Sequence, residues 1–382
     1  MAYFRKVPAK NKKGYTYSFT IELGKDPITG KRKQVTRRGF ETKKEAEVVA
    51  NEIENQINKN TFILDSNVLL SSHIEKWLDL IAKRKVKETT FKNYHRVVKN
   101  KIIPLLGHFK LNEIKPAHIE HFIAELLDEG LSERYIEYIF AVLHGSMEKA
   151  VDWELINKNP LDKVKVPRGR RRKYVTWTRE EVNKFLSVAK FVTAPVYHAI
   201  FTTALYTGMR RGELLGLKWE DVDFNTGTIQ VRRNLIYDDG GFRFGTLKTE
   251  SSERDISIED YLIECLKSYR IKQLEIKMSL GKLYDDQDLI FARQDGRPIY
   301  PRTLTENFNR ATKEAALPKI RIHDCRHTHA TLLLEAGVSL KEVQERLGHS
   351  SIKMTGDIYA HVTPKIKART AKKFGDYMKL EG

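Results

Sequence analysis

Cysteine is nearly absent from this chain: there are two in 382 residues, Cys265 and Cys325, far apart in sequence. So few thiols argue against a disulfide framework and fit a reducing compartment. No apolar run approaches the roughly 18 residues that would signal a membrane span. The N-terminus lacks the charged, apolar and small-residue succession of a secretory signal. The expectation is a soluble cytoplasmic protein with no membrane partner. Acidic charge is in deficit too: 68 Lys and Arg stand against 50 Asp and Glu, leaving +18 at neutral pH. An excess that large calls for a polyanionic partner, nucleic acid above all. Internal repeats and low-complexity tracts are also missing. What is present, a hydrophobic fraction of 41%, is enough for genuine cores, and the length fits two or three domains.

The organisation follows from charge and periodicity. The first 40 residues hold eleven Lys or Arg and two acids. Residues 16–23 alternate as a strand does, 26–31 read as a turn through Pro27 and Gly30, and 33–40 read as the strand that pairs back. Thr42 with Glu45 forms a capping-box pattern, followed by an apolar stripe at Ala46, Val49, Ala50, Ile53 and Ile57. Residues 66–160 read as all helix. Ile74, Trp77, Leu78 and Ile81 recur at helical spacing, as do Ile136, Ile139, Phe140, Leu143 and Met147. Pro116 opens another helix. These stripes are packing faces. The basic faces between them, at Lys83, Arg84 and Lys85 and at Lys92, Arg96 and Lys99, are either solvated surface or DNA contacts. Asn159 and Pro160 end the block. Residues 165–173 are nearly all charge, Gly and Pro, the composition of a linker; composition alone leaves open an inter-domain strap on a phosphate backbone, which the resemblance given below favours, and a nuclear-localisation run.

Beyond the linker, Thr178 and Glu181 make a second capping box. A helical region from 201 to 217 is broken at Gly208. Residues 228–231 and 242–244 read as strands around the turn at 238–241, and 254–258 as a third; the rest is helical. The fold expected is multidomain and mainly α with small β-sheets. A three-stranded sheet plus helix occupies 1–65 and a helical domain 66–160. A basic linker spans 161–173, and a mixed, mostly α domain with a small antiparallel sheet spans 174–382.

Six polar residues in the last domain stand out. Arg210 lies in Thr207-Gly208-Met209-Arg210-Arg211-Gly212-Glu213, Lys248 in Leu247-Lys248-Thr249, and His323 and Arg326 in His323-Asp324-Cys325-Arg326. His349 follows Leu347-Gly348, and Tyr359 sits in Gly356-Asp357-Ile358-Tyr359-Ala360-His361. Attack on a phosphodiester must neutralise the pentacoordinate state and protonate the leaving oxygen. Arginine suits the first task, because its planar fork offers parallel donors and stays charged. Tyrosine can attack if nearby cations favour its phenolate. His323 with His327, and Cys325 with His329, are each four apart and could chelate a metal on one helix face. With no second half-site of ligand spacing, and with Arg326 in their midst, no metal is expected.

The order and wording of these motifs resemble the tyrosine recombinases, or phage-type integrases, across nearly the whole chain. The resemblance implies that Arg210 and Arg326 clamp the phosphate and that Lys248 is the general acid at the leaving 5′-oxygen. It implies that His323 is a base or phosphate donor, that His349 donates to a phosphate oxygen, and that Tyr359 is the nucleophile forming a 3′-phosphotyrosine, with no metal or other cofactor. The N-terminal unit would bind arm-site DNA and the helical unit core-site DNA. The catalytic state would be a homotetramer on two duplexes, assisted by a directionality factor and a host DNA-bending protein. A stripe at Ile366, Thr370, Phe374 and Met378 could fold back on its own domain or dock on a neighbouring subunit. Two other readings stay open: a type IB topoisomerase, and a DNA-binding regulator with a vestigial site.

Overall fold

The computed structural model describes residues 2–11, 13–25, 30, 32–58, 67–169, 175–238, 240–245, 253–348, 375 and 378. The chain divides into two compact units, 1–171 and 172–382, and it is mostly helical with small antiparallel sheets.

The first unit begins with a three-stranded antiparallel sheet, β1 (Tyr3–Pro8), β2 (Tyr15–Lys25) and β3 (Arg32–Phe40), in the order β1-β2-β3. Alternation separates its two faces. Phe19, Ile21 and Val35 are buried together with Ala46, Ala50 and Ile53 of helix α1 (Lys43–Asn58). The other face presents Tyr3, Arg5, Thr20, Gln34, Thr36 and Arg38, which line a shallow groove with Glu22. The α1 cap forms as the sequence implies: the Thr42 hydroxyl accepts from the Glu45 N–H, and the Glu45 carboxylate accepts from the Thr42 N–H.

The helical part comprises α2 (Leu70–Trp77), α3 (Lys83–Lys85), α4 (Glu88–Val97), α5 (Ile103–Leu106), α6 (Pro116–Asp128) and α7 (Glu133–Asp152). Two π-helical segments, Leu78–Ala82 and Val98–Ile102, run continuously with their neighbours. Ile74, Trp77, Leu78, Ile136, Ile139, Leu143 and Met147 are all buried in one cluster, so the periodic stripes are core. Leu161 and Val164, which the sequence reading assigned to the linker, are buried in the same cluster. The apolar pair is what keeps that stretch packed.

The second unit starts with α8 (Arg179–Val192), capped reciprocally by Thr178 and Glu181. Then come α9 (Pro195–Thr207), α10 (Arg211–Leu215), β4 (Val222–Asp223), β5 (Thr228–Val231), β6 (Asn234–Asp238), β7 (Gly241–Gly245) and β8 (Arg254–Ser257). Helices α11 (Asp260–Leu280), α12 (Pro301–Glu314), α13 (Asp324–Ala336) and α14 (Leu340–Leu347) follow. The strand at 228–231 does not pair with 242–244, as the turn between them had implied. It lies between β4 and β8, while β6 and β7 form a separate hairpin. The reason is tertiary. Gly212 on α10 and Gly216, which caps its end, leave that helix side bare, and β6 lies so close that a Cβ at Gly212 would stand 1.9 Å from the Asn234 side chain. The β6 segment is thereby drawn away from the three-stranded sheet.

The core of this unit centres on aromatic rings. Trp177 stacks with Phe308 at 5.7 Å and meets Phe185 at 4.8 Å, and its indole N–H donates to the Pro318 carbonyl at 2.9 Å. Trp177 is 1% exposed. Its ring therefore ties the segment before α8 to α12 and to the loop after it. Trp177→Ala is expected to cost about 3–5 kcal/mol through the cavity and the orphaned carbonyl. Denaturant unfolding of the full chain, followed by fluorescence and circular dichroism, checks this.

Candidate active site

Gly208 makes the first essential turn. It ends α9 with φ +65°, a left-handed conformation that suits glycine. It also leaves no room for a side chain, because a Cβ would fall 2.5 Å from Leu347 Cδ2 and 2.8 Å from His329 Cδ2. Two residues later Arg210 caps the start of α10, in extended conformation. Its backbone N–H donates to Glu213 Oε2 at 2.9 Å, and its Nη1 donates to Oε1 at 2.7 Å. Its Nη2 donates to the Gly348 carbonyl at 3.1 Å. The neighbouring Arg211 is exposed.

Arg326, on α13, is 3% exposed. Its Nη1 donates to the Gly208 carbonyl at 2.8 Å and its Nη2 to the Leu347 carbonyl. Burial, then the charge of Arg210, push its pKa down to about 9, still protonated at neutral pH. Glu213 is 2% exposed. Burial alone would raise its pKa, but Arg254 and the hydrogen bonds and charge of Arg210 hold it below the ordinary glutamate value. Arg254, at the start of β8, donates Nη2 to Glu213 Oε2 at 3.1 Å and Nε to the Arg346 carbonyl at 2.7 Å. Three guanidinium charges (Arg210, Arg254, Arg326) against one carboxylate leave two positive charges in a largely dry cluster. A phosphodiester brings one negative charge and develops a second in the pentacoordinate state, so this cluster is the electrostatic complement of that reaction.

His323 precedes α13, and its ring meets that of His327 edge-on at 5.7 Å. Packing on one side, then the charge of Arg326, with Arg321 and Arg210 adding to it, hold the His323 pKa below the ordinary histidine value. That direction favours the neutral imidazole, the form that can accept a proton. Asp324 is fixed by Arg321, which donates its backbone N–H, Nε and Nη2. Cys325 is buried in the core. His329 donates Nδ1–H to the Leu205 carbonyl at 2.9 Å and accepts at Nε2 from Arg346 Nε at 3.1 Å. Of the two pairs spaced as possible metal ligands, Cys325 and His329 are thus engaged in the core and with backbone.

The structure brings together Arg210, Arg326 and His323 from two distant motifs. Lys248, His349 and Tyr359 lie outside the described residues, as do Ile366, Thr370 and Phe374 of the C-terminal stripe. Gly348, φ +65°, ends α14 immediately before His349. Sequence reasoning singled out no role for Arg254, although its place in the frame Lys248-Thr249…Ser251…Arg254 was a signal. It took Glu213 as a structural residue that holds the loop, and its two carboxylate oxygens hold both Arg210 and Arg254.

Burial makes the histidines pH-sensitive in one direction. Burial, then Arg346, push His329 down to about 3, and burial, then His323, push His327 down to about 4. In the unfolded chain each titrates near 6.5, so unfolding takes up protons below that pH. Glu213, also lowered, acts in the same sense at lower pH. Stability is expected to be full above about pH 6.5 and to fall as pH drops from there toward 4. Melting temperatures at half-unit steps check this; a value constant from pH 7 to 4.5 would contradict it.

The family model described as "Phage integrase family" matches residues 176–365. "Arm DNA-binding domain" matches 8–57 and "Phage integrase, N-terminal SAM-like domain" matches 69–127. A tyrosine recombinase XerC-like protein of Caldanaerobacter subterraneus subsp. tengcongensis is 33% identical over 389 residues, covering 96% of this chain and 97% of that protein. The ICEBs1 integrase of Bacillus subtilis is 29% identical over 362 residues, covering 95% and 97%. Among solved structures, the Tn1549 transposon integrase in complex with transposon right end DNA superposes with TM-score 0.68 at 24% identity, over 80% of this chain and 99% of that one. A lambda integrase tetramer bound to a Holliday junction gives 0.57 at 22%, over 94% of each. At these identities the two structures show the shared fold. The glycine-ended helices, the buried guanidinium cluster and the matches over almost the entire length lead to one conclusion: this chain belongs to the phage integrase family of tyrosine recombinases.

Proposed function

We propose that the chain is the integrase of a mobile element, a site-specific recombinase that cuts and rejoins DNA through a 3′-phosphotyrosine. The observation that carries this is the cluster of half-buried Arg210 and buried Arg254 on Glu213, with buried Arg326 beside them, whose surplus of two positive charges suits a phosphodiester passing through its dianionic state. Arg210 and Arg326 clamp the non-bridging oxygens. His323, favoured in its neutral form, accepts the proton of the attacking phenol. Tyr359 attacks phosphorus and expels the 5′-oxygen, which Lys248 protonates; His349 donates to a phosphate oxygen. The bond energy is kept in the phosphotyrosine, and the 5′-hydroxyl of a partner strand recovers it. The arginines supply the charge neutralisation that a metal would otherwise bring, and the stored phosphotyrosine bond supplies the energy that a nucleotide would otherwise bring, so neither is needed.

The N-terminal sheet supports a second DNA contact. Its open face carries Arg5 and Arg38 beside Tyr3, Thr20, Gln34 and Thr36, donors suited to phosphates and base edges, on a β-surface of the kind that enters a DNA groove. Residues 1–65 are the arm-site unit, 66–164 the core-site unit and 174–382 the catalytic unit, joined by the basic linker at 165–173. Because four strands are cut and exchanged in pairs, a homotetramer on two duplexes is the working assembly. A directionality factor and a host bending protein would bias which sites synapse.

Two experiments test the chemistry on a nicked duplex carrying the element's own core site. Tyr359→Phe is expected to abolish the SDS-resistant complex while leaving duplex affinity within about threefold, since affinity comes mainly from phosphate contacts. Survival of that complex would remove Tyr359 as nucleophile. Lys248→Ala should slow cleavage of normal DNA far more than cleavage of a 5′-bridging phosphorothiolate, because sulfur leaves without a proton. Equal losses on the two substrates would assign the acid elsewhere.

A further inference from the structure

The end of α14 is gripped by three guanidinium groups. The Arg346 carbonyl accepts from Arg254 Nε at 2.7 Å, the Leu347 carbonyl from Arg326 Nη2 and the Gly348 carbonyl from Arg210 Nη2 at 3.1 Å. These are carbonyls that a helix leaves without intrahelical partners, and they carry its negative pole. Arg210 and Arg326 have a place in the chemistry proposed above, and Arg254 does not. Its side chain is only 6% exposed, paired with Glu213 at 2%. It is a bridge rather than a phosphate donor.

What it bridges is informative. Through Nη2 it holds Glu213 Oε2, the oxygen that also takes the Arg210 N–H. Through Nε it holds the helix end from which the chain continues to His349 and Tyr359. It also stands six residues after Lys248, where the chain enters β8. A reciprocal tie strengthens the joint. Arg346, on α14, donates Nη1 to the Ser257 carbonyl at the far end of β8 and Nη2 to the Tyr206 carbonyl near the end of α9. Strand and helix therefore each reach a side chain to the other's backbone.

We propose that Arg254 is a positioning residue for strand cleavage, setting the Arg210–Arg326 clamp in register with the end of α14 through Glu213. This rests on the recombinase reading. Arginine is required because its Nε and Nη2 diverge to acceptors on two elements at once. A lysine ammonium restores the charge but not the two fixed directions.

The test uses the full chain with Arg254→Lys, Glu213→Gln and the double variant, on the nicked core-site duplex. Arg254→Lys is expected to keep its melting temperature within a few degrees and its duplex affinity within about threefold, while single-turnover covalent-complex formation slows by ~10-fold or more. In the Glu213→Gln background the same change should add less than about threefold, because residues acting as one unit are not additive. Wild-type cleavage by Arg254→Lys overturns the inference. So does a loss that multiplies in full on Glu213→Gln, or one that merely tracks the unfolded fraction. If the wild-type protein itself forms no covalent complex, the recombinase reading falls and this inference falls with it. Normal wild-type cleavage with an unaffected Arg254→Lys sinks this inference alone.

Discussion

A single buried carboxylate organises the catalytic unit. Glu213 offers two oxygens to three donors: the Arg210 backbone N–H and Nη1, and Arg254 Nη2, with the charge of Arg326 close by. A charge taken this far from water survives only if it is paired and hydrogen bonded. The converse holds for the guanidiniums, which repel one another and lower each other's affinity for a proton. One negative charge among three positive ones is enough to let them pack, and too little to satisfy them. That remaining imbalance leaves the cluster net positive, the property on which the proposed phosphodiester chemistry rests.

The fold supplies the geometry around that carboxylate largely through glycine. Gly208 and Gly348 both adopt positive φ at helix ends, so that α9 and α14 stop where their last carbonyls meet Arg326 and Arg210. Gly212 and Gly216 clear one side of α10 for β6. The clamp is thus built on short rigid elements whose termini, rather than their faces, point at one another. Such an arrangement leaves the arginines few alternative rotamers, which is the condition for a preorganised electrostatic site.

Local features of this architecture were legible in the residues. The capping pairs Thr42–Glu45 and Thr178–Glu181 act over three residues, and both form. The helical stripes from Ile74 and Ile136 became core because periodicity is a property of one helix. Gly208 and Gly348 end helices because glycine alone adopts positive φ without strain. Strand pairing was less legible. The turn at 238–241 was visible, but that 228–231 would turn to 254–257 depended on how closely α10 lets β6 approach. Glu213 looked like a simple i+3 partner of Arg210; that its second oxygen serves Arg254, forty-one residues on, is a fact of three dimensions.

The sequence by itself determined the chemistry available: which residues carry charge, where helices start and stop, and the ordered motifs of a tyrosine recombinase, because each depends on residue type and short spacing. Only the tertiary structure decided how that chemistry is held. Bringing Gly208, Glu213, Arg254, Arg326 and the end of α14 to one point requires contacts between segments up to 138 residues apart. Their energy comes from burial and hydrogen bonding across the fold, and no local pattern in the chain encodes it.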